Sequence, residues 1–326
     1  MIKVGLIGCG FMGKMHASVY SLLENAELKS VCDVDPARTQ AFAGQFLPSA
    51  QASFEEMLGD PELTVIDVCL PTYLHCDFTV RALEAGKHVM CEKPMAMTLD
   101  EADRMIGARN ASGKSLMIGH CIRFWPEYAL MKRYVADHRL GKLLSLNLTR
   151  FGEFPHWSSE NWLADESKSG GGVLDMHIHD TDFAYYLLGS PDQIESWGSV
   201  DERGPGHAFT TMKYGETIIH TEGGWNLPSK TPFKMAFRAI FERGAMIMDA
   251  GPLTIYEQGK EPSIPEFPKM EASGGGNISD LGGYYHELRY FIDAVEAGAP
   301  LETVTAESAK ESLRLTLEEI KQIKAR

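Results

Sequence analysis

The tightest constraint on this sequence lies at its start. Ile2–Ile7 reads as a strand, Phe11–Leu23 as a helix, and between them runs Gly8-Cys9-Gly10-Phe11-Met12-Gly13. A G-x-G-x-x-G turn between a strand and a helix points to a βαβ unit that receives a phosphate-bearing ligand. Gly8 permits the tight turn, Gly10 lets a pyrophosphate approach the backbone, and Gly13 lets the helix lie close to the sheet. The phosphate meets the backbone N–H groups around Phe11 and Met12 and the positive end of the helix. Asp33 closes the next strand, twenty residues after Gly13. A carboxylate there accepts from a ribose 2′-OH and repels a 2′-phosphate, so the expected cofactor is NAD rather than NADP. The bland alternative is a glycine-rich turn whose Asp merely caps the next helix.

The rest of the first 120 residues continues the same pattern. Strands are read at Leu28–Asp33, Val65–Leu70, Val89–Cys91 and Ser115–Gly119, and helices at Pro36–Phe46, Thr72–Ala85 and Leu99–Asn110. Strands apolar on both faces that alternate with helices form a parallel sheet covered on both sides. After residue 120 the pattern changes. A helix over Glu127–Asp137 leads to an alternating strand, Leu143–Phe151, and the glycines at 170–172 open a helix to about Leu188. Strand-like runs follow near 193–200, 207–213, 216–225, 233–242, 245–249 and 253–256, as in an antiparallel or mixed sheet. Residues 257–280 read as loop, and helices near 282–297 and 305–323 close the chain. The expected domains are 1–120, binding NAD, and 121–326, an α+β domain for substrate and oligomerisation whose C-terminal helix can pack back on the first.

Composition narrows the partners. The balance of 31 basic and 45 acidic residues gives a net charge of −14, which disfavours nucleic acid and anionic lipid. No window holds the roughly 18 apolar residues of a membrane span. The N-terminus runs straight into the first strand without a basic signal region, so a cytoplasmic protein with no membrane partner is expected. The six cysteines form no CxxC pair, in keeping with reduced thiols.

Two further stretches suggest chemistry. Glu92-Lys93-Pro94 falls just past a strand's carboxyl end, where α/β sheets place ligands. A solvated loop lysine is the plain alternative. In Gly170-Gly171-Gly172-Val-Leu-Asp175-Met-His177-Ile-His179-Asp180-Thr-Asp182, helical spacing puts Asp175 and His179 on one face, with Asp182 near them and His177 pointing elsewhere. An Asp beside a His orients the ring and stabilises the imidazolium, as general base work requires. Two histidines at i, i+2 diverge on a helix, which argues against a metal site. A structural polar cluster is the other reading.

Together these residues resemble the Gfo/Idh/MocA oxidoreductase family along essentially the whole chain. The resemblance adds Pro71-Thr72-Tyr-Leu-His75, Ala85-Gly86-Lys87-His88-Val89, Arg123-Phe124-x-Pro126 and Tyr285-His286-Glu287-Leu288. It implies a Rossmann α/β domain plus an α+β domain with a large open, mostly antiparallel sheet. It implies that Lys93, Asp175 and His179 are the catalytic group: Lys93 touches the reacting hydroxyl and cofactor, His179 relays the proton and Asp175 supports it. Arg123 and His156 join them as substrate contacts. Pro71, Thr72, His75, Glu92 and Trp162 join the glycine turn, Asp33 and Lys93 on the cofactor side. A free lysine titrates near 10.4 and a histidine near 6.5, so His179 is the easier base and Lys93 the polariser or the base.

The expected reaction is hydride transfer between a secondary alcohol of a sugar, inositol or glycoside and NAD. The segment with Glu153, His156, Trp157, Asn161 and Trp162 offers aromatic planes and polar groups for a pyranose, or is an ordinary loop. His120, Cys121 and His177 depart from the family's usual residues and are expected to shape the substrate pocket. Two alternatives remain: NAD-dependent redox-assisted cleavage or elimination with no net NADH, and a non-catalytic NAD-sensing protein. The open sheet, with polar His220, Glu222 and Lys213, suggests a homo-dimer or homo-tetramer. Cys9, Cys32, Cys69, Cys91 and Cys121 fall at strand ends on the cofactor edge, which predicts inhibition by thiol reagents.

Overall fold

A computed structural model describes residues 1–46, 52–156, 158–268 and 281–326. Contacts divide the chain into two compact units: Met1–Trp125 with Pro268–Lys310, and Pro126–Phe267 with Glu311–Arg326. Residues 281–310, expected to belong with the second half of the chain, group with the first unit.

The first unit is a five-stranded parallel sheet. Its strands are β1 (Ile2–Ile7), β2 (Ala26–Cys32), β3 (Val65–Val68), β4 (His88–Glu92) and β5 (Leu116–Gly119), in the order β2-β1-β3-β4-β5. Every residue of β3 and β5 is buried, as expected of strands covered on both faces. The helices are α1 (Phe11–Tyr20), α2 (Pro36–Phe46), α3 (Phe54–Gly59), α4 (His75–Glu84, after a 3₁₀ turn at Thr72–Leu74) and α5 (Leu99–Ser112). Helix α5 starts at a reciprocal Thr98–Glu101 capping box and stops at left-handed Gly113. Helix α3 was not foreseen, although its Ser53-x-x-Glu56 capping box is legible in the sequence. A 3₁₀ turn, Cys121–Phe124, ends the N-terminal stretch of this unit.

The second unit opens with α6 (Pro126–Ala136) and β6 (Leu143–Glu153), then a 3₁₀ segment at Ser159–Ala164 and a short helix, α7 (Glu166–Ser169). A π-turn, Val173–His177, runs into α8 (Ile178–Leu188). Strands β7 (Gln193–Asp201), β8 (Gly204–Tyr214), β9 (Thr217–Leu227), β10 (Lys234–Phe241), β11 (Gly244–Met248) and β12 (Thr254–Glu257) complete a seven-stranded sheet, ordered β12-β11-β10-β6-β9-β8-β7. Only the β6–β9 pair is parallel among these neighbours. The alternating burial of β6 shows one face packed and the other open.

Two helices close the chain, α9 (Gly282–Ala297) and α10 (Ala306–Lys324). Helix α9 buries Leu288, Phe291 and Ile292 in the core of the first unit, together with Val4, Leu6 and Val31. Gly283 lets it approach closely, since a Cβ there would stand 2.1 Å from Trp125. Helix α10 is shared: its first turn belongs to the first unit and the remainder, from Glu311, to the second. Among the described residues no helix is long and apolar enough to cross a membrane.

Candidate functional site

In the first unit the glycine turn occupies the carboxyl end of β1. Gly8 has φ +99°, and a Cβ on it would stand 2.3 Å from the Cys69 carbonyl oxygen. A Cβ on Gly13 would stand 2.0 Å from the Gly8 carbonyl oxygen, so this glycine seats α1 against the turn. Gly10 differs: nothing lies within 4 Å of its would-be Cβ. That open space leaves room for a pyrophosphate to approach the backbone. Helix α1 begins with no side-chain cap and no acidic residue in its first turn, which leaves its positive end for an anion. Phe11 and Met12, half-buried, anchor that end on the core.

Asp33 lies directly beside this turn. Its Oδ2 accepts the Cys9 N–H at 2.9 Å and its Oδ1 accepts the Asp35 N–H at 3.0 Å. Arg38, which the sequence reading missed, places Nη1 3.2 and 3.3 Å from the two carboxylate oxygens. The available signal was an arginine in the first turns of the helix that follows Asp33. The residues present therefore fit a dinucleotide with a free ribose 2′-OH, with Arg38 at the same corner.

The Glu92-Lys93-Pro94 segment stands at the carboxyl end of β4, on the same sheet edge as the turn. The Lys93–Pro94 peptide is cis. Glu92 is buried. Its Oε1 faces His16 Nε2 at 3.1 Å and its Oε2 accepts the Lys93 N–H at 3.1 Å. Burial opposes ionisation of Glu92, but His16 outweighs it and holds the carboxyl below its usual range. Lys93 itself is half-buried.

Pro71 precedes the 3₁₀ turn; Thr72, which opens the turn, and His75, which opens α4, are both buried. His75 Nδ1 lies 2.7 Å from the Pro94 carbonyl oxygen and Nε2 2.8 Å from that of Leu70. Burial holds this ring below the usual histidine range, so its single N–H serves one carbonyl at a time. The ring ties the end of β3 to the lysine loop. Arg123 is likewise committed inside its unit: its Nη1 donates to the Thr303 carbonyl at 2.8 Å and the Ser308 hydroxyl at 3.1 Å.

His16, Asp67 and Cys69 are the one group of potential metal ligands found close together among the described residues. The His16 Nδ1–Asp67 Oδ2 distance of 2.8 Å is a hydrogen bond. Two ligands of one zinc ion, each bound at about 2.0–2.3 Å in a tetrahedron, stand farther apart than this.

In the second unit the glycine-rich segment packs directly on the sheet. A Cβ on Gly172 would stand 2.5 Å from the Gly206 carbonyl oxygen of β8 and 2.9 Å from Trp225 of β9. The segment is not the uninterrupted α-helix expected. The Ile178 N–H donates to the Val173 carbonyl, closing a π-turn that holds Asp175, while His179 sits on α8. The wider turn changes the i, i+4 geometry; π-turns of this kind recur at functional sites. Asp175 and His179 are half-buried, while their neighbours His177, Ile178 and Asp180 are wholly buried.

His177 does not line a pocket. Its Nε2 lies 3.2 Å from Thr221 Oγ1, 3.4 Å from Thr210 Oγ1 and 3.5 Å from Glu319. Burial opposes its protonation, but the Glu319 carboxylate prevails and raises its pKa. Asp180 pairs with Arg150 at 3.2 Å, and Asp182 accepts from Ser312 at 2.6 Å, so both are structural. His120 and Cys121, the other expected pocket residues, are buried in the first unit.

Trp162 is half-buried and packs with Phe154, Leu163 and Trp225; Met176, beside Asp175, joins the same cluster. Glu160 and Asn161, just before it, both hold left-handed backbone at φ 52° and 53°. His156 is exposed and stands edge-on to Phe154. Trp157 lies outside the described residues.

The thiol expectation is corrected. Cys9, Cys91 and Cys121 are buried, and burial followed by the charge of Asp33 pushes Cys9 up to about 12. Burial also raises Cys32, Cys69 and Cys91. Cys9, Cys32, Cys69 and Cys91 therefore stay protonated near neutral pH.

The fold and glycine turn define an NAD-binding Rossmann protein with a second, sheet-based unit. Residues 2–120 match the family model described as an oxidoreductase family with an NAD-binding Rossmann fold, and residues 128–247 match the Gfo/Idh/MocA C-terminal domain. The chain belongs to the Gfo/Idh/MocA oxidoreductase family. It is 30% identical to the levoglucosan dehydrogenase of Pseudarthrobacter phenanthrenivorans, over 66% of this chain and 60% of that one. It is 35% identical to the D-glucoside 3-dehydrogenase of Escherichia coli, over 58% and 55%. The matched stretches thus span little more than half of these relatives. A levoglucosan dehydrogenase structure with NADH and levoglucosan superposes with TM-score 0.85 at 21% identity, covering 99% of this chain and 97% of that one, a likeness of fold.

Proposed function

We propose that the protein is an NAD-dependent dehydrogenase acting on a secondary alcohol of a sugar, inositol or glycoside. The observation that carries this reading is the shared sheet edge: the open glycine turn after β1 and the Glu92-Lys93-Pro94 segment after β4 stand at the carboxyl ends of one parallel sheet. The names of the levoglucosan and D-glucoside relatives support the substrate class.

When bound, NAD supplies the nicotinamide that takes a hydride from the alcohol carbon. Gly8, Gly10 and Gly13 give its pyrophosphate room, Phe11 and Met12 offer backbone N–H groups, and Asp33 meets the ribose. Pro71, Thr72, His75, Glu92 and Trp162 complete the cofactor side. Lys93 polarises the hydroxyl, His179 takes its proton as the carbonyl forms, and Asp175 supports the imidazolium. Arg123 acts by holding the 3₁₀ turn after β5 rather than by touching substrate, and exposed His156 is a substrate contact. No metal takes part.

The test is a parallel screen of NAD and NADP against levoglucosan, myo-inositol, methyl glucosides and sugar acids, following NADH and analysing products. NADH formed with one class establishes the dehydrogenase. Loss of a glycoside without net NADH establishes redox-assisted elimination instead, and NAD binding with no turnover of any kind establishes a sensor. We place the enzyme in the cytoplasm, where its unpaired thiols stay reduced. We also propose a homo-dimer or homo-tetramer through the open sheet, whose face exposes the cross-strand pair Trp197 and Phe209 at 44% and 51%.

A further inference from the structure

Two buried histidines, His16 and His75, bracket the lysine loop, and their surroundings differ in kind. His75 faces two carbonyl oxygens. His16, from α1, is wholly buried and faces two carboxylates: Asp67 at 2.8 Å on Nδ1 and Glu92 at 3.1 Å on Nε2. A neutral imidazole has one N–H and would set its lone pair against one of those carboxylates; only the imidazolium donates to both. Asp67 is held as an acceptor by a second donor, the Tyr20 hydroxyl, at 2.8 Å.

Of the other titratable groups around this centre, Tyr20, Cys69 and Tyr284 supply no positive charge, while Lys93, next to Glu92, acts on that carboxylate as a cation. Cys69, at the end of β3, lies 3.3 Å from Nδ1, and the Tyr284 ring of α9 lies 6.4 Å from the imidazole. Burial pushes Tyr20, Cys69 and Tyr284 up, so all three stay neutral. The carboxylate of Glu92 adds negative charge, and the buried Glu287 of α9 lies near Tyr20 and Tyr284. His75 is close enough to feel both Glu92 and Lys93. Burial disfavours a charged His16, yet Asp67 and its hydrogen bond raise this ring well above the ordinary histidine value.

We infer that His16 is a permanently charged positioning residue, an imidazolium clamped between Asp67 and Glu92 that keeps Glu92 an ionised, fixed support for the backbone of Lys93. It touches neither substrate nor cofactor, and its part in turnover rests on the proposed role of Lys93. The chain of contacts runs from β3 through α1 to β4, so the helix that begins at the glycine turn also steadies the lysine loop.

The first test needs no variant. Histidine-labelled wild-type protein is followed by NMR from about pH 6 to about pH 8.5, a span that brackets an ordinary histidine near 6.5. One ring, identified by its loss in His16→Gln, is expected to stay an imidazolium throughout; a His16 ring that titrates near the ordinary value overturns the inference. If His16→Gln does not fold, Glu92→Gln identifies the ring instead, because losing one carboxylate shifts its titration downward. The second test is kinetic, using whichever of levoglucosan, myo-inositol and methyl glucoside reacts in the screen. In His16→Gln, kcat is expected to fall about tenfold to a hundredfold, as for other supporting partners, with the KM for NAD little changed. The rate profile gains an ionisation near neutrality, since two carboxylates without a cation between them cannot both stay charged. That ionisation disappears in His16→Gln/Glu92→Gln. An unchanged kcat and profile in His16→Gln overturn the role in turnover. If Lys93→Ala keeps full turnover, the catalytic reading of Lys93 fails, and His16's role in turnover with it, even where NMR shows the charge.

Discussion

Three glycines share one motif and carry different burdens. Gly13 is steric, because its would-be Cβ meets the Gly8 carbonyl at 2.0 Å. Gly10 carries no steric burden, because its would-be Cβ meets nothing, and its proposed part is to leave room for the pyrophosphate. Gly13→Ala is therefore expected to lower stability by about 1–3 kcal/mol, as overpacking does, seen as a lower denaturation midpoint. Gly10→Ala should leave that midpoint unchanged while weakening NAD binding at least about tenfold, or ~1.4 kcal/mol; calorimetric titration with NAD separates the two. Lys93→Ala should keep NAD binding and lose at least about a hundredfold in kcat. These positions were legible in the sequence because their chemistry is local: a turn, a strand end, a cis-capable Lys-Pro step. Arg38 and His16 were overlooked because their meaning lies in partners: His16 is 51 residues from Asp67 and 76 from Glu92.

Among the elements, the π-turn at Val173–His177 and helix α10 share one buried polar network. Thr181 donates to both oxygens of Glu319, at 3.1 and 3.0 Å, and Glu319 also faces His177. The raised pKa of His177 fixes the sign of a pH effect. Its folded value lies above the unfolded value of about 6.5, so the pair's contribution is complete below that pH and is lost as pH rises through the folded value. The stability difference between wild type and Glu319→Gln should be greatest near pH 6, at about 1–3 kcal/mol, and should shrink steadily toward about pH 9. Urea denaturation across that range measures it, and a difference flat with pH would show that His177 stays neutral. Most element boundaries were readable within a few residues, from β1 and α2 to the seven strands of the second sheet. The π-turn was not, because the helical period of the side chains is compatible with either hydrogen-bond register and packing of Gly172 on β8 and β9 selects between them.

For the molecule as a whole, the unburied face of the second sheet is the feature that asks for a partner. Trp197 and Phe209 pair across β7 and β8, flanked by the hydrogen-bonded His220 and Thr211. If this face joins two copies, Phe209→Glu should shift the protein to monomer mass in sedimentation at micromolar concentration without altering its far-UV circular dichroism. A wild-type monomer under those conditions ends the assembly proposal. The net charge of −14 is spread over a chain whose cysteines are unpaired, and alkylation of the native protein near neutral pH should leave NAD binding intact.

The sequence alone was enough for the fold class, the family and the identity of the dinucleotide turn. Strand and helix periods, glycine spacing and an acidic strand end are written within short windows, and backbone sterics act over the same range. Tertiary structure was needed to show which polar residues are already held by partners. His177, Asp182 and Arg123 stand out in the sequence, and each contacts a residue far along the chain that the sequence does not reveal. Burial is a property of the packed molecule, and it is burial that turns a histidine between two carboxylates into a fixed charge.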